Sequence, residues 1–136
     1  MKIYIAAPWK HRSQISDIAA RVEAAGHTIT WRWWTIEDVP ESERTVENLR
    51  HQAINDVQGV KNADLVLLIN SERSEGKSLE QGIAVADNKP IIAVGTRGEF
   101  SQNVFHYLTN YRWVTSVDEA LEILSTIQWL TSHEGI

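Results

Sequence analysis

The chain is 136 residues long, 43% hydrophobic, with a net charge of −5 and no cysteine, which is one domain's worth of sequence with apolar material for a real core. The acidic balance argues against a nucleic-acid polymer or an anionic membrane surface as partner. The missing cysteines exclude disulfides and thiol catalysis and fit a reducing, cytoplasmic setting. Lys2 leads straight into strand-like residues without an h-region or cleavage site, so no signal peptide is expected, and no apolar run approaches the roughly 20 residues of a membrane helix.

Residues 2–7 (KIYIAA) predict a buried strand that Pro8 stops. Residues 13–25 predict a helix with Ile15, Ile18, Ala19 and Val22 on one face, ended by Gly26. Residues 28–34 (TITWRWW) are β-branched and aromatic and predict a strand. The acidic stretch 37–44, with Pro40, reads as a surface loop. A second helix is expected over 45–60, where Val46, Leu49, Ala53, Ile54 and Val57 recur at helical spacing. Residues 64–70 (DLVLLIN) give the strongest strand signal, with Asp64 as a structural turn residue. A helix over 77–88 and a strand over 90–94 follow. Residues 95–111 are less regular, and Trp113-Val114 suits a short last strand. Ser116 to Glu119 is a capping box that opens a helix carrying Leu121, Leu124, Ile127 and Trp129.

Strands and helices alternate, which predicts a single α/β domain over residues 1–136. The expected fold is flavodoxin-like (Rossmann-like): a five-stranded parallel sheet of order 2-1-3-4-5 with helices on both faces. In such folds ligands bind at the carboxyl ends of the strands, here the segments 8–12, 70–80 and 95–99. Gly76-Lys77-Ser78 opens a helix after a strand, but the full phosphate-loop pattern needs a glycine five residues before that triplet, and position 71 is Ser.

Taken alone, the candidate residues carry two readings each. Glu80, in the first turn of the third helix, is either a carboxylate poised for chemistry or a complement to the helix dipole. Tyr4 is a core residue or a hydroxyl serving a site, and Asp56 is a helical surface acid or a functional one. Lys10, His11 and Arg12 form a phosphate-binding loop or a solvated basic one. Trp9 and Trp34 stack on a base or pack internally, while Gly82, Ala84 and Ala86 suit close helix-to-sheet packing.

Three motifs in fixed order bear on Tyr4, Asp56 and Glu80. They are Tyr4 to Pro8 (YIAAP), Asn55-Asp56 followed by ADLVLLIN, and G-x-x-x-E-x-G-x-A-x-A-x-x-K-P from Gly76 to Pro90. Over residues 3–115 the chain resembles the nucleoside 2-deoxyribosyltransferase superfamily, which includes 2′-deoxynucleoside 5′-monophosphate N-glycosidases. The resemblance implies an enzyme that breaks an N-glycosidic bond, and because no His or carboxylate cluster has ligand spacing no metal or cofactor is expected. It places the nucleophile at Glu80, a hydroxyl that hydrogen-bonds the nucleophile at Tyr4, and the acid at the departing base at Asp56. Ser74 matches a serine used near a 5′-phosphate, where many transferases carry Asp. Ala7, Pro8, Trp9, Arg12, Trp34 and Gly76 fall around the substrate, and Ser101 or Asn103 in a segment that reaches a neighbouring subunit's site. A homo-oligomer with shared sites and a small deoxynucleoside or deoxynucleotide substrate follow from the same likeness. A nucleotide-binding or sensing module without turnover remains the alternative.

Overall fold

Residues 2–6, 65–69 and 91–94 form strands where an apolar run has little that is polar to show to water. In the computed structural model, which describes residues 1–36, 41–100 and 103–126, β1 (Lys2–Ala6), β3 (Leu65–Ile69), β4 (Ile91–Val94) and β5 (Tyr111–Val114) join β2 (Thr28–Ile29) in one parallel sheet. The order is β2-β1-β3-β4-β5, as the alternation of elements predicts. Ile3, Tyr4 and Ile5 of β1 and Leu65 to Leu68 of β3 are wholly buried, because helices cover both faces. Lys2 and Asp64 tie the starts of β1 and β3 together: the Lys2 amide donates to Asp64 Oδ2 at 2.8 Å, and the Asp64 amide donates to Lys2 O at 2.7 Å.

Helix α1 (Arg12–Ala24) buries Ile15, Ala19 and Val22 and ends at Gly26, whose φ of 97° is the left-handed turn a glycine adopts freely. It shares its face of the sheet with α4 (Val117–Ser125), to which it is joined by the Arg21–Asp118 ion pair. The capping box of α4 forms with one change: Ser116 Oγ accepts from the Glu119 amide, but Glu119 Oε2 accepts from the Thr115 amide. Ile127 and Trp129, expected to extend α4, lie outside the described residues, as do positions 37–40.

The other face carries α2 (Val46–Asn62) and α3 (Glu75–Ala86). Thr45 caps α2 by accepting from the Asn48 amide at 3.1 Å. At its other end, Lys89 Nζ donates to the carbonyls of Lys61 and Ala63 at 2.8 and 2.6 Å. A cation on the last carbonyls of a helix is favourable, which gives the lysine of the K-P motif a structural task. The apolar stripe of α2 does not face the sheet. Val46, Leu49, Ile54 and Val57 are exposed, and only Gly59 and Val60 of this helix are buried.

Two expectations need correction. The strand over 28–34 stops after two residues, and Trp33–Thr35 forms a 3₁₀ turn instead. The turn holds the adjacent Trp33 and Trp34 edge to face, ring centroids 5.7 Å apart, and both are buried. It is pinned by Trp33 Nε1 donating to Ile5 O at 2.7 Å. On α3, Ala84 packs on the sheet, but Gly82 and Ala86 are exposed and a Cβ at Gly82 would meet nothing within 4 Å, so only Ala84 has the close-packing role.

Candidate active site

Four segments that the chain order separates meet beside Tyr4. A cleft of about 170 Å³ is lined by Ala7 and Trp9 after β1, Trp33 and Ile36, Gln52 and Asp56 of α2, and Ser74, Gly76, Lys77 and Glu80 at the start of α3. Of the sequence-selected residues it gathers Ala7, Trp9, Asp56, Ser74, Gly76 and Glu80, with Tyr4 buried beneath them. The segment 95–99, expected to form part of this edge, does not line it; α2 and the Trp33 turn do.

Helix geometry explains the α2 and α3 contributions. Gln52 and Asp56 are four residues apart, and Ser74, Lys77 and Glu80 step by three, so each set lies on one helical face. Ser74 is the N-cap of α3, its Oγ accepting from the Lys77 amide at 3.3 Å, and its own O–H remains a donor. Glu80 is therefore the sixth residue of the helix and not part of its first turn. A Cβ at Gly76 would stand 4.0 Å from Glu80 Oε1, so a bulkier residue there would crowd the carboxylate.

The electrostatics also correct the expectation for Glu80. Burial pushes its carboxyl up to about 8, reinforced by the charge of Asp56 and opposed by the Tyr4 hydroxyl and by Lys77. The dipole's help fades beyond the first turn, so burial wins over the helix terminus and favours the protonated acid at neutral pH. Tyr4 is pushed up too, first by burial and then by Glu80 and Asp56. The Tyr4 hydroxyl is near enough to influence Glu80, yet neither Tyr4 Oη nor Glu80 Oε2 completes a hydrogen bond of normal geometry. Two buried polar atoms left open beside each other mark a place where a ligand's polar groups would be favoured. Asp56 is raised by burial, against a hydrogen bond from Trp31 Nε1 to its Oδ1 at 3.0 Å.

Trp31, Trp33, Gln52, Lys77 and Gly59 are the site residues that sequence reasoning passed over. Gly59 is the closest fit of all. A Cβ there would lie 2.8 Å from Trp31 Cβ and 2.9 Å from two ring carbons of Tyr4, so α2 approaches the Tyr4 ring and the Trp31 Cβ only because this residue has no side chain. Gly59→Ala is expected to destabilise the protein by about 1–3 kcal/mol, read as a lowered Tm in thermal denaturation; an unchanged Tm would show that Tyr4 and Trp31 yield freely.

Other selected residues lie elsewhere. Arg12 and Trp34 line a separate groove with Lys10, Ser13, Ser16 and Thr35. Arg12 lies over the Trp9 ring, 4.6 Å from its centroid. Lys10 and His11 face Glu72 at 3.3 and 3.7 Å, and His11 Nδ1 is 2.8 Å from Ser71 Oγ, so this loop is bound to the turn before α3. Pro8 caps the 3₁₀ turn Trp9–His11 without lining the cleft. Asn103 lines a groove along α3 with Gln81, Gly82 and Phe105, and Ser101 lies outside the described residues. Among the described residues no group of three or more His, Cys, Asp or Glu is placed to share a metal ion, and no helix is long and apolar enough to cross a membrane.

Solved structures carry this architecture. The Clostridium botulinum CMP N-glycosidase BcmB superposes with a TM-score of 0.62 at 19% identity, over 93% of this chain and 100% of its own. The Bacillus psychrosaccharolyticus 2-deoxyribosyltransferase gives 0.66 at 20% identity, over 89% and 90%. The fold is theirs. A conserved protein from Enterococcus faecalis V583 has it as well, with a TM-score of 0.69 at 20% identity over 92% and 97% of the two chains. No family model and no curated relative matches the sequence.

Proposed function

We propose that this protein is an enzyme of the nucleoside 2-deoxyribosyltransferase superfamily that cleaves the N-glycosidic bond of 2′-deoxynucleosides or their 5′-monophosphates. The observation that carries the reading is one cleft holding Glu80 from α3 and Asp56 from α2, with the Tyr4 hydroxyl near enough to both to feel their charge. Breaking the bond builds oxocarbenium character on the sugar, which a carboxylate beside C1′ stabilises. Glu80 attacks C1′ as the C1′–N bond breaks, and Asp56 gives its proton to the departing base. The product of that step is a deoxyribosyl ester of Glu80. Water or a second base then attacks C1′, the carboxylate leaves, and Asp56 takes up the proton of the incoming group. Two carboxyl groups about 5 Å apart serve such double displacements. Trp9 and Trp33 supply an aromatic wall on which a base can stack, and the Ser74 hydroxyl offers a donor to the sugar or its phosphate.

The fold-sharing enzymes include a CMP N-glycosidase and a 2-deoxyribosyltransferase, so both acceptors and CMP itself belong in the test. Free base is measured by chromatography from deoxynucleosides, their 5′-monophosphates and CMP, each with and without an added base. Release without an acceptor identifies a hydrolase, and product formed only with one identifies a transferase. Binding without release from any of them favours the second reading, a nucleotide-binding module, to which the burial-raised carboxyl of Glu80 lends weight.

The protein is also expected to act as a homo-oligomer. Val46, Leu79, Val104, Phe105 and Tyr107 are each at least 60% exposed, large apolar surfaces that a monomer has reason to cover. Light scattering should give at least twice the 15.5 kDa chain mass, and a monomeric value would remove the shared-site part of the proposal.

A further inference from the structure

Lys77 is a buried cation for which the chemistry above has no use. It is 3% exposed, lines the same cleft as Glu80, and precedes it by three residues on the same face of α3. A lysine is rarely buried without partners. Its Nζ donates to Asn70 Oδ1 at 3.1 Å, at the end of β3, and to the carbonyl of Glu72 in the turn that follows. Both acceptors are neutral, so the ammonium is solvated by the wall of the cleft without being neutralised there. The carboxylates whose charge reaches it are Glu72 and Glu80.

We propose that Lys77 is a positioning residue for Glu80: its ammonium, anchored by Asn70 and the Glu72 carbonyl, is the cation that lets Glu80 become a carboxylate inside the cleft. This rests on the reading of Glu80 as the nucleophile. The other ionisable groups facing Glu80 are Tyr4 of β1 and Asp56 of α2, and the Asp56 charge works against ionisation. Among the described residues Lys77 is thus the single cation of the groups that influence Glu80, and its charge also reaches Glu72 and His106. Its tether has a second consequence. An ammonium beside C1′ would oppose the positive charge that develops on the sugar, and the two hydrogen bonds hold Nζ against Asn70 and Glu72 while its field still reaches Glu80. Burial lowers Lys77 to about 8, so the charge begins to fail at alkaline pH and the useful window closes from above.

The test is a ¹³C NMR titration of the Glu80 carboxyl, assigned by its loss in Glu80→Gln, in the parent protein and in Lys77→Met, Lys77→Gln and Lys77→Arg. Removing an opposite charge at this range is expected to raise the Glu80 midpoint by about 1–3 pH units in the Met and Gln variants, and Arg is expected to restore it. The acid limb of kcat/KM should move with the midpoint. Lys77→Gln keeps two N–H donors for Asn70 and Glu72, so it reports on charge even if the Met variant does not fold. A midpoint unchanged in the neutral variants overturns the proposal, as does an equal rise in Lys77→Arg, which would make the effect one of shape. The titration reads Glu80 directly, so a protein with the expected shift but no base release defeats the enzymatic reading and leaves the Lys77–Glu80 coupling standing.

Discussion

Replacing Glu80 by Gln is expected to lower base release by at least about 10³-fold, about 4 kcal/mol of barrier, while leaving the protein folded and more stable at alkaline pH. The amide has the size of the carboxyl but cannot form the glycosyl ester, so the path through the covalent intermediate closes. In the parent, activity should rise as Glu80 gives up its proton, with a midpoint near 8 in the free protein. The stability effect has the opposite sign for a definite reason. Glu80 in the fold holds its proton more tightly than the unfolded chain does, with about 8 against an ordinary 4.5. The stability linked to that proton is fully present below about 4.5, declines as the pH rises, and is gone above 8. Glu80→Gln has no proton to lose, so its Tm advantage should grow between pH 5 and 8 and then level off. Thermal denaturation of both proteins across pH 5–9 reads this. A constant Tm difference would mean that Glu80 is ionised in the fold throughout, and near-parental base release in the variant would end its role as nucleophile.

The division between what the sequence disclosed and what it hid follows the range of the interactions involved. The runs over residues 2–7, 64–70 and 90–94 are legible because a strand buried on both faces has no polar alternation to disguise it. The cap at Ser116 acts over three residues, and its local signal suffices. Trp31 binds Asp56 across 25 positions, and Trp33 reaches Ile5 across 28, so nothing in TITWRWW announced either bond or the turn that makes them possible. Gly59 owes its role to the Tyr4 ring from β1 and to the Trp31 Cβ from the segment after β2. The start of α3 is the instructive miss. Placing it at 77 instead of Glu75 put Glu80 in the dipole's reach, and that reversed the expected balance between helix terminus and burial. Arg12 and Trp34 were selected by their position near the carboxyl edge of the sheet, and they line a groove of their own.

Asp56→Asn separates protonation of the base from attack on the sugar. General acid catalysis contributes about 10²–10⁴-fold, and a loss of that size is expected for substrates whose base departs poorly without a proton. Trp31 Nε1 donates to Oδ1, so a protonated Asp56 carries its hydrogen on Oδ2. In the Asn variant the amide oxygen can still accept from Trp31, which keeps the side chain in place while removing the transferable proton. The loss should therefore shrink for an electron-poor base that leaves readily as an anion, whereas Glu80→Gln should lose activity on both kinds of substrate alike. The two variants, compared on one good and one poor leaving group by initial rates of base release, assign the roles independently. An Asp56→Asn protein equally impaired on both would mean that Asp56 acts on the sugar or on Glu80. Its raised carboxyl would then be a consequence of burial at the closed end of α2, with no part in proton transfer.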